Sequence, residues 1–440
     1  MTETKHCNAV QPNRRHFMKT GVAAGAFLTA PMVLPPHVLG KNGSVAPSER
    51  VVLGGIGIGG RGGFDLRMLM REPDVVCVAN CDPQKSRREE VKKLVDARYD
   101  NSDCKLYSDL NEFLAERTDI DAVLIATGDR WHALASVLAM RAGKDVYSEK
   151  PSSMTIAEGQ AVLDTATRYG RIYQTGTQRL SEANFCFANE LLRTGRLGEV
   201  HTVRAHIAPW DAAEMSHDWL PEEPLPPLDE VDWDEWLGPC PWRPYNSTYT
   251  KGGWRGHYDF HTSCIGEWGA HTFAQCQVAI DQWKTSAIEY QYVDNKTGDG
   301  MVTKFANGIK MVLQLEGWRG SCGVRYEGTE GWVSIADGYE KPDVSDPKMM
   351  DDFDKLVNGY IARTGRPMNH WRNLVDCIKS RRQTVANPLM MHKTMSTVHA
   401  ANICMWLKRD MKFDPEKEEF INDPEANRLR SRAMREPWIV

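Results

Sequence analysis

Across the first 178 residues, short unbroken apolar runs alternate with longer amphipathic stretches. The run Arg50–Gly62 reads as a buried strand entering a glycine-rich turn. Val75–Cys81 and Ile120–Thr127 read as two more buried strands, Asp145–Glu149 as a short strand and Arg171–Gln174 as the next. Between them, Ser86–Arg98, Arg130–Ala142 and Ile156–Tyr169 carry helical spacing, a helix starts near Phe64–Met70, and a short strand-and-helix unit ends near Glu116. Leu134, Val137 and Leu138 share one helix face, while Gly143 and Gly170 stand where helices stop. Strands that are apolar throughout and alternate with helices predict a doubly wound parallel sheet covered on both faces.

The pattern changes after about residue 180. Ile309, Met311, Leu313 and Leu315 alternate with Lys310, Val312, Gln314 and Glu316, the period of a half-buried antiparallel strand. Asn307-Gly308 joins it to Met301–Ala306 as a hairpin, and Cys322–Glu327 with Trp332–Ala336 predict a second hairpin. The fold class expected is therefore α/β: an N-terminal Rossmann-type doubly wound parallel sheet, then a C-terminal α+β domain with a largely antiparallel sheet. Expected boundaries are 47–178 and 179–420, with a Trp/Pro-rich insertion at 209–256 and a C-terminal extension at 421–440. Seven of the fourteen tryptophans lie between Trp210 and Trp268. Their rings could stack on sugars, but packing of an irregular insertion is the preferred reading, because aromatic side chains mainly supply buried area.

Charge changes the picture at the N-terminus. Asn13–Lys19 holds Arg14-Arg15, and Gly21–Ala30 is apolar but too short to span a bilayer. This predicts an export signal of the twin-arginine type over residues 1–46, hence a twin-arginine translocation partner, a periplasmic location and no membrane anchor after processing. Residues 1–46 carry five cations (Lys5, Arg14, Arg15, Lys19, Lys41) and one anion (Glu3), so their removal moves the net charge from −5 to −9. That balance argues against nucleic acid as a partner. Of the eleven cysteines, Cys77 and Cys81 fall in a predicted buried strand, no C-x-x-C spacing occurs, and no pairing is assigned.

Candidate chemistry centres on Gly57, Gly59 and Gly62, which fit G-x-G-x-x-G between a strand and a helix. Gly57 permits the tight turn, Gly59 lets the backbone approach a pyrophosphate, and Gly62 lets the helix pack closely. Gly60 and Arg61 complete the loop. Asp82 ends the second strand, 25 residues past Gly57, where a carboxylate takes a ribose 2′-hydroxyl and favours NAD over NADP.

Together with Ala126-Thr127, His132, Glu149-Lys150-Pro151 and Gly266–His271, this loop resembles the glucose–fructose oxidoreductase / inositol dehydrogenase (Gfo/Idh/MocA) family. The resemblance runs from about Arg50 to the end and is strongest to exported members, whose tails are similar to Asp423–Trp438. It implies NAD contacts at Thr127, His132, Glu149 and Lys150, with Lys150 holding the substrate oxygen and His271 serving as acid/base. Two positions depart from the family: Glu267 stands where aspartate is usual, and Gly128 where proline is common. The chemistry stands beside the resemblance. A histidine titrates near working pH and can take a hydroxyl proton, and a lysine beside the same oxygen stabilises alkoxide charge. Glu267 and His271 share a helix face, so Glu267 is the third catalytic candidate, orienting the imidazole or touching substrate.

Arg255, His257, Tyr258 and His261 are expected to line the substrate cleft. His257, His261, Glu267 and His271 could in principle ligate zinc, but the surrounding glycines do not place His257 and His261 on one helix, and no metal is assigned. The expected activity is NAD-dependent oxidation or reduction of a hydroxyl on a sugar, glycoside or cyclitol. The alternative is an NAD-dependent glycosidase or lyase working by transient oxidation and elimination. A non-catalytic NAD-bound binding protein is the third reading. The resemblance implies that Lys150 favours the dehydrogenase, since related NAD-dependent glycosidases often lack it. A homo-oligomer is expected.

Overall fold

The computed structural model describes residues 45–207, 214–295 and 298–440. The twin-arginine stretch and its apolar run, and Trp210 of the insertion, lie outside the described residues. Val51–Val440 forms one compact unit.

Its first sheet has six parallel strands: β1 (Val51–Ile56), β2 (Val75–Cys81), β3 (Lys105–Tyr107), β4 (Ala122–Ile125), β5 (Asp145–Ser148) and β6 (Tyr173–Thr175). They are ordered β3-β2-β1-β4-β5-β6. The order reverses between β1 and β4, which opens a crevice at the carboxyl ends of these two strands. All four residues of β4 and of β5 are buried; β4 is an unbroken apolar run, whereas β5 begins with Asp145, which pairs with Arg381. The helix Gly60–Leu69 starts four residues before Phe64, inside the glycine loop itself. The helix Ile156–Tyr169 ends at Gly170, whose φ of +59° closes the last turn.

The second sheet has nine strands: β7 (Val200–His206), β8 (Glu289–Gln291), β9 (Asp299–Lys304), β10 (Lys310–Gln314), β11 (Val324–Gly328), β12 (Gly331–Ile335), β13 (Asp343–Val344), β14 (Met411–Asp414) and β15 (Glu419–Phe420). Both predicted hairpins form, β9–β10 and β11–β12, and Gly308 adopts φ +86° in the first turn. Among the paired strands described in this second sheet, only β7 and β10 run parallel. The helices Ser263–Ala279 and Pro388–Leu407 bury Phe273, Met395 and Val398 in the core shared with this sheet.

Two segments cross between the sheets in ways that periodicity does not reveal. The helix His370–Ser380, read from sequence as part of the second domain, buries Leu374, Val375 and Ile378 against the first sheet's core. Arg372 and Lys379 on it pair with Asp74 at the foot of β2. The chain's last residues also return to the first sheet, where Trp438 packs edge-on to Trp131 at 5.1 Å. The ten described cysteines are buried free thiols. No described helix is long and apolar enough to cross a membrane.

Candidate active site

The crevice between β1 and β4 deepens into a cavity of about 390 Å³. Its wall brings together Gly57, Gly59, Gly60, Arg61, Gly62, Asp82, Thr127, His132, Glu149, Lys150, Arg255 and Glu267, residues separated by up to 210 positions in the chain.

Each glycine has a distinct physical reason. Gly57 sits at φ +65°, and a Cβ there would come within 2.2 Å of Thr127 Cγ2. A Cβ on Gly62 would meet Ala126 Cβ at 2.6 Å, so the helix approaches the end of β4. Cβ atoms on Gly59 and Gly60 would meet nothing within 4 Å. Those two glycines leave a bare backbone cradle at a helix N-terminus that has no side-chain cap, the arrangement that takes a pyrophosphate. Asp82 ends β2 and is buried, with Oδ1 accepting from Gln84 N at 2.8 Å. Burial raises its pKa to about 6, against the opposing pull of the Gln84 N–H, Arg87, Arg88 and Arg130. The donor set and the cradle fit a dinucleotide.

His132 is a spacer as well as a wall. Its ring spans two backbone carbonyls, Pro151 O at 2.7 Å from Nδ1 and Thr127 O at 3.1 Å from Nε2, and so ties the ends of β4 and β5 together. Glu149 Oε1 accepts from Gln178 Nε2 at 2.8 Å, and Arg61 lies 3.7 Å from the same oxygen. Behind them is Asp65, fully buried, which accepts from Arg61 Nε and Trp371 Nε1 at 3.1 Å each. Burial and the neighbouring Glu149 carboxylate push the Asp65 carboxyl well above the usual range.

The second domain contributes the helix Ser263–Ala279. Glu267 faces the cavity and accepts from Arg255 Nε at 3.0 Å, with His261 Nε2 at 3.4 Å. Burial opposes its ionisation, but His261, Lys150 and Arg255 outweigh burial and hold it well below the usual carboxylate range. Glu267 therefore does not orient His271, although one helical turn separates them. His271 is buried behind the wall. Its Nδ1 faces Thr177 Oγ1 at 3.1 Å and its Nε2 faces Arg179 Nη1 at 3.4 Å. Arginine only donates, so Nε2 is the acceptor and Nδ1 carries the proton. Burial, then Arg179, Lys150 and Arg61, lower its pKa well below 6.5 and keep the ring neutral.

Of the four substrate candidates, Arg255 lines the cavity, and the expectation is corrected for His257, Tyr258 and His261, which do not. His257 packs among the insertion's aromatic rings, 5.1 Å from Tyr249. Tyr258 lies tilted against His217 at 4.7 Å and edge-on to Trp406 at 5.4 Å. Neither lines the cavity: His257 packs on the insertion's small core of Trp233, Trp236, Tyr249 and Phe260, and Tyr258 lies between the insertion and the helix Pro388–Leu407. The tryptophans at 233 and 236 thus do the packing expected of them, whereas Trp219 and Trp242 are exposed.

The ligand-type cluster that forms is Asp129, His261 and Glu267, with one atom of each within 4.8 Å of the others. His257 and His271 have no part in it. His261 Nδ1 accepts from Gly256 N at 3.1 Å, so the neutral ring carries its proton on Nε2 and directs N–H at Glu267. Asp129 Oδ2 already accepts from Thr262 N and Oγ1. Asp129 and His261 Nδ1 thus already accept hydrogen bonds, so the cluster is not a set of free lone pairs. Sequence reasoning missed Asp129, Arg130, Thr177 and Arg179. The first two were within reach, directly after a strand end in a doubly wound sheet. Arg179, paired with Asp337, carries no motif.

Residues 50–177 match a family model described as the NAD-binding Rossmann fold of an oxidoreductase family, and residues 200–440 match the model of its C-terminal alpha/beta domain. The alpha-N-acetylgalactosaminidase of Shewanella oneidensis is 29% identical over 226 residues, 47% of this chain and 48% of that protein. A glycosyl hydrolase family 109 protein of Shewanella baltica is 30% identical over 226 residues, with the same shares covered. The chain spans about half the length of these curated relatives. Among solved structures, the WlbA dehydrogenase from Bordetella pertussis, in complex with NADH and UDP-GlcNAcA, aligns with a TM-score of 0.59 at 14% identity, covering 83% of this chain and 98% of that one. Myo-inositol 2-dehydrogenase from Lactobacillus plantarum aligns with a TM-score of 0.57 at 14% identity, covering 83% and 100%. At such identity the likeness is one of fold.

Proposed function

The chain belongs to the Gfo/Idh/MocA oxidoreductase family, and we propose that it transfers hydride between NAD and a hydroxyl-bearing carbon of a sugar, glycoside or cyclitol. One observation carries this reading. Lys150, at the carboxyl end of β5, lines the same cavity as the glycine cradle and Asp82, with Glu267 on the facing wall.

When bound, the nicotinamide supplies the hydride acceptor or donor. The chain's own residues bind, orient and move the proton. Gly57–Gly62 hold the pyrophosphate and Asp82 the ribose, while Thr127, His132 and Glu149 shape the wall toward Lys150. The Lys150 ammonium holds the substrate oxygen and stabilises the negative charge that grows there. His271 is neutral with its lone pair on Nε2, so Nε2 is the atom that takes the hydroxyl proton. His271 lies behind the wall with Arg179 Nη1 at 3.4 Å from Nε2, so proton transfer to it requires Arg179 to give way. Glu267, ionised, accepts from a neighbouring hydroxyl, and Arg255 keeps it in place.

A second reading is redox-neutral cleavage of a glycoside, in which oxidation is followed by elimination and the hydride is returned. Likeness to the Shewanella alpha-N-acetylgalactosaminidase favours it. The presence of Lys150 favours net oxidation. A panel of free sugars, cyclitols and aryl glycosides separates the two readings, with nicotinamide absorbance and released aglycone recorded together. Absorbance change without aglycone supports the dehydrogenase. Aglycone without net absorbance change replaces it with the glycosidase.

We also propose export by the twin-arginine route, on the strength of Arg14-Arg15 and the short apolar run after them. Changing both arginines to lysine should leave folded protein in the cytoplasm; normal periplasmic accumulation would refute this. Assembly as a homo-oligomer is part of the proposal and is read by light scattering.

A further inference from the structure

We propose that Arg130 is a binding residue for the dinucleotide, donating from Nη1 to a ribose–phosphate oxygen of the adenosine half, and that the strap it anchors, residues 229–238, makes the cofactor slow to leave. The inference rests on the NAD reading above and adds a residue and a behaviour to it.

Arg130 opens the helix Asp129–Arg141 and is 4% exposed, yet its Nη1 is buried with no protein partner. Burial lowers its pKa only to about 10, so it stays a cation at neutral pH. An unpaired buried guanidinium nitrogen is costly unless something else satisfies it. The rest of the group is fixed. Nε donates to Trp236 O at 2.9 Å, and the guanidinium lies 3.6 Å from the Trp236 ring centroid. Arg130 lines the same cavity as the glycine cradle and Asp82, so the free donor belongs to the cofactor's side. Gly128 now has a reason. A Cβ there would come within 2.4 Å of Arg130 Nη1, so a larger residue would push the donor aside.

The strap crosses the adenosine end of the crevice. Its carbonyls and amides bond the loop just after Asp82: Lys85 N donates to Glu230 O at 2.9 Å, and Asp232 N to Pro83 O at 3.1 Å. Trp131 Nε1 donates to Glu235 O at 3.0 Å from the other side. The chain's tail fastens both, with Arg432 Nη2 donating to Arg130 O at 3.1 Å and Arg435 Nη2 to Gly238 O at 3.0 Å. One arginine therefore joins the dinucleotide domain, the insertion and the tail around a single donor. Carboxylates at the end of the second strand take the adenosine ribose in such folds, which places this donor beside that half of the ligand.

The test uses full-length Arg130→Met and Gly128→Ala. Binding of NAD, ADP-ribose and nicotinamide mononucleotide is measured by calorimetry, and NAD release by trapping in excess competitor. Arg130→Met should weaken NAD and ADP-ribose by roughly tenfold to a hundredfold, the loss of one charged hydrogen bond. NAD release should quicken by a similar factor, and nicotinamide mononucleotide should bind as in the wild type. Wild-type NAD affinity and release in Arg130→Met would overturn the inference alone. An equal loss for both fragments, which signals general loosening, would also overturn it. No NAD binding by the wild type would overturn the cofactor reading and this inference with it. Should Arg130→Met fail to fold, Gly128→Ala carries the same expectations and the same refutations, because it displaces the donor without removing it.

Discussion

Alanine at Gly57 and alanine at Gly59 should fail in opposite ways, although the two glycines belong to one motif. At Gly57 the backbone sits at φ +65°, and a methyl group would stand 2.2 Å from Thr127 Cγ2 and 2.9 Å from its Cα. The left-handed conformation costs a residue with a Cβ about 1–2 kcal/mol. Forcing a methyl into a closed contact adds about 1–3 kcal/mol. The Thr127 Cα cannot swing away as a side-chain tip could, so Gly57→Ala should lose roughly 2–5 kcal/mol of a total near 5–15 kcal/mol. At Gly59 φ is −96° and nothing lies within 4 Å of the new methyl. Gly59→Ala should leave the ligand-free protein within about 0.5 kcal/mol of wild type. Its methyl projects into the cradle instead, and overpacking there of about 1–3 kcal/mol lowers NAD affinity by roughly tenfold to a hundredfold. Denaturant unfolding of the ligand-free proteins and calorimetry with NAD read the two effects separately. Wild-type NAD affinity in Gly59→Ala, or wild-type stability in Gly57→Ala, would refute the division of labour between them.

Three more outcomes are expected. Asp82→Ala should weaken NAD by about tenfold or more, the loss of a charged hydrogen bond, and relax the bias against NADP because no anion then faces a 2′-phosphate; equal discrimination in mutant and wild type would contradict it. Lys150→Ala and His271→Ala should each lower turnover by about two to four orders of magnitude, with NAD affinity little changed in His271→Ala; near wild-type turnover in that variant would move the proton acceptor elsewhere, His261 first. The stability that His370 and His399 contribute should fall from pH 6.5 downward, while the raised carboxyls of Asp65 and Asp82 act in the opposite sense: burial holds His370 at about 4 and His399 at about 3 against an ordinary 6.5. At these two rings the unfolded chain binds protons first, so their contribution is intact above pH 6.5 and falls by about 1.4 kcal/mol per pH unit for each ring until the folded values are passed. Denaturant unfolding of wild type and His399→Gln at pH 7 and pH 5 isolates one ring's share; a stability difference between the two proteins that does not change with pH would show that the ring is not buried neutral.

The sequence by itself determined the first sheet, its glycine loop and the carboxylate at the end of β2. Those features are local: short apolar runs, the G-x-G-x-x-G spacing and a terminal acid follow each other within a few dozen residues, and short length with flanking glycines distinguishes strand from helix. The two hairpins were legible for the same reason, since Asn307-Gly308 is a short-range turn signal. Tertiary structure decided the facing wall. That Glu267 turns to Arg255 and His261 rather than to His271 depends on a turn whose path no periodicity encodes. That His257 packs on the insertion's aromatic core and Tyr258 against Trp406 of a distant helix depends on contacts between segments far apart in the chain. Arg179 reaches His271 across 92 positions of sequence, and Arg432 reaches Arg130 across 302. Such contacts are set by how two sheets and a returning tail close on one another, and by the requirement that buried polar groups find partners there, a condition that acts only once the chain is folded.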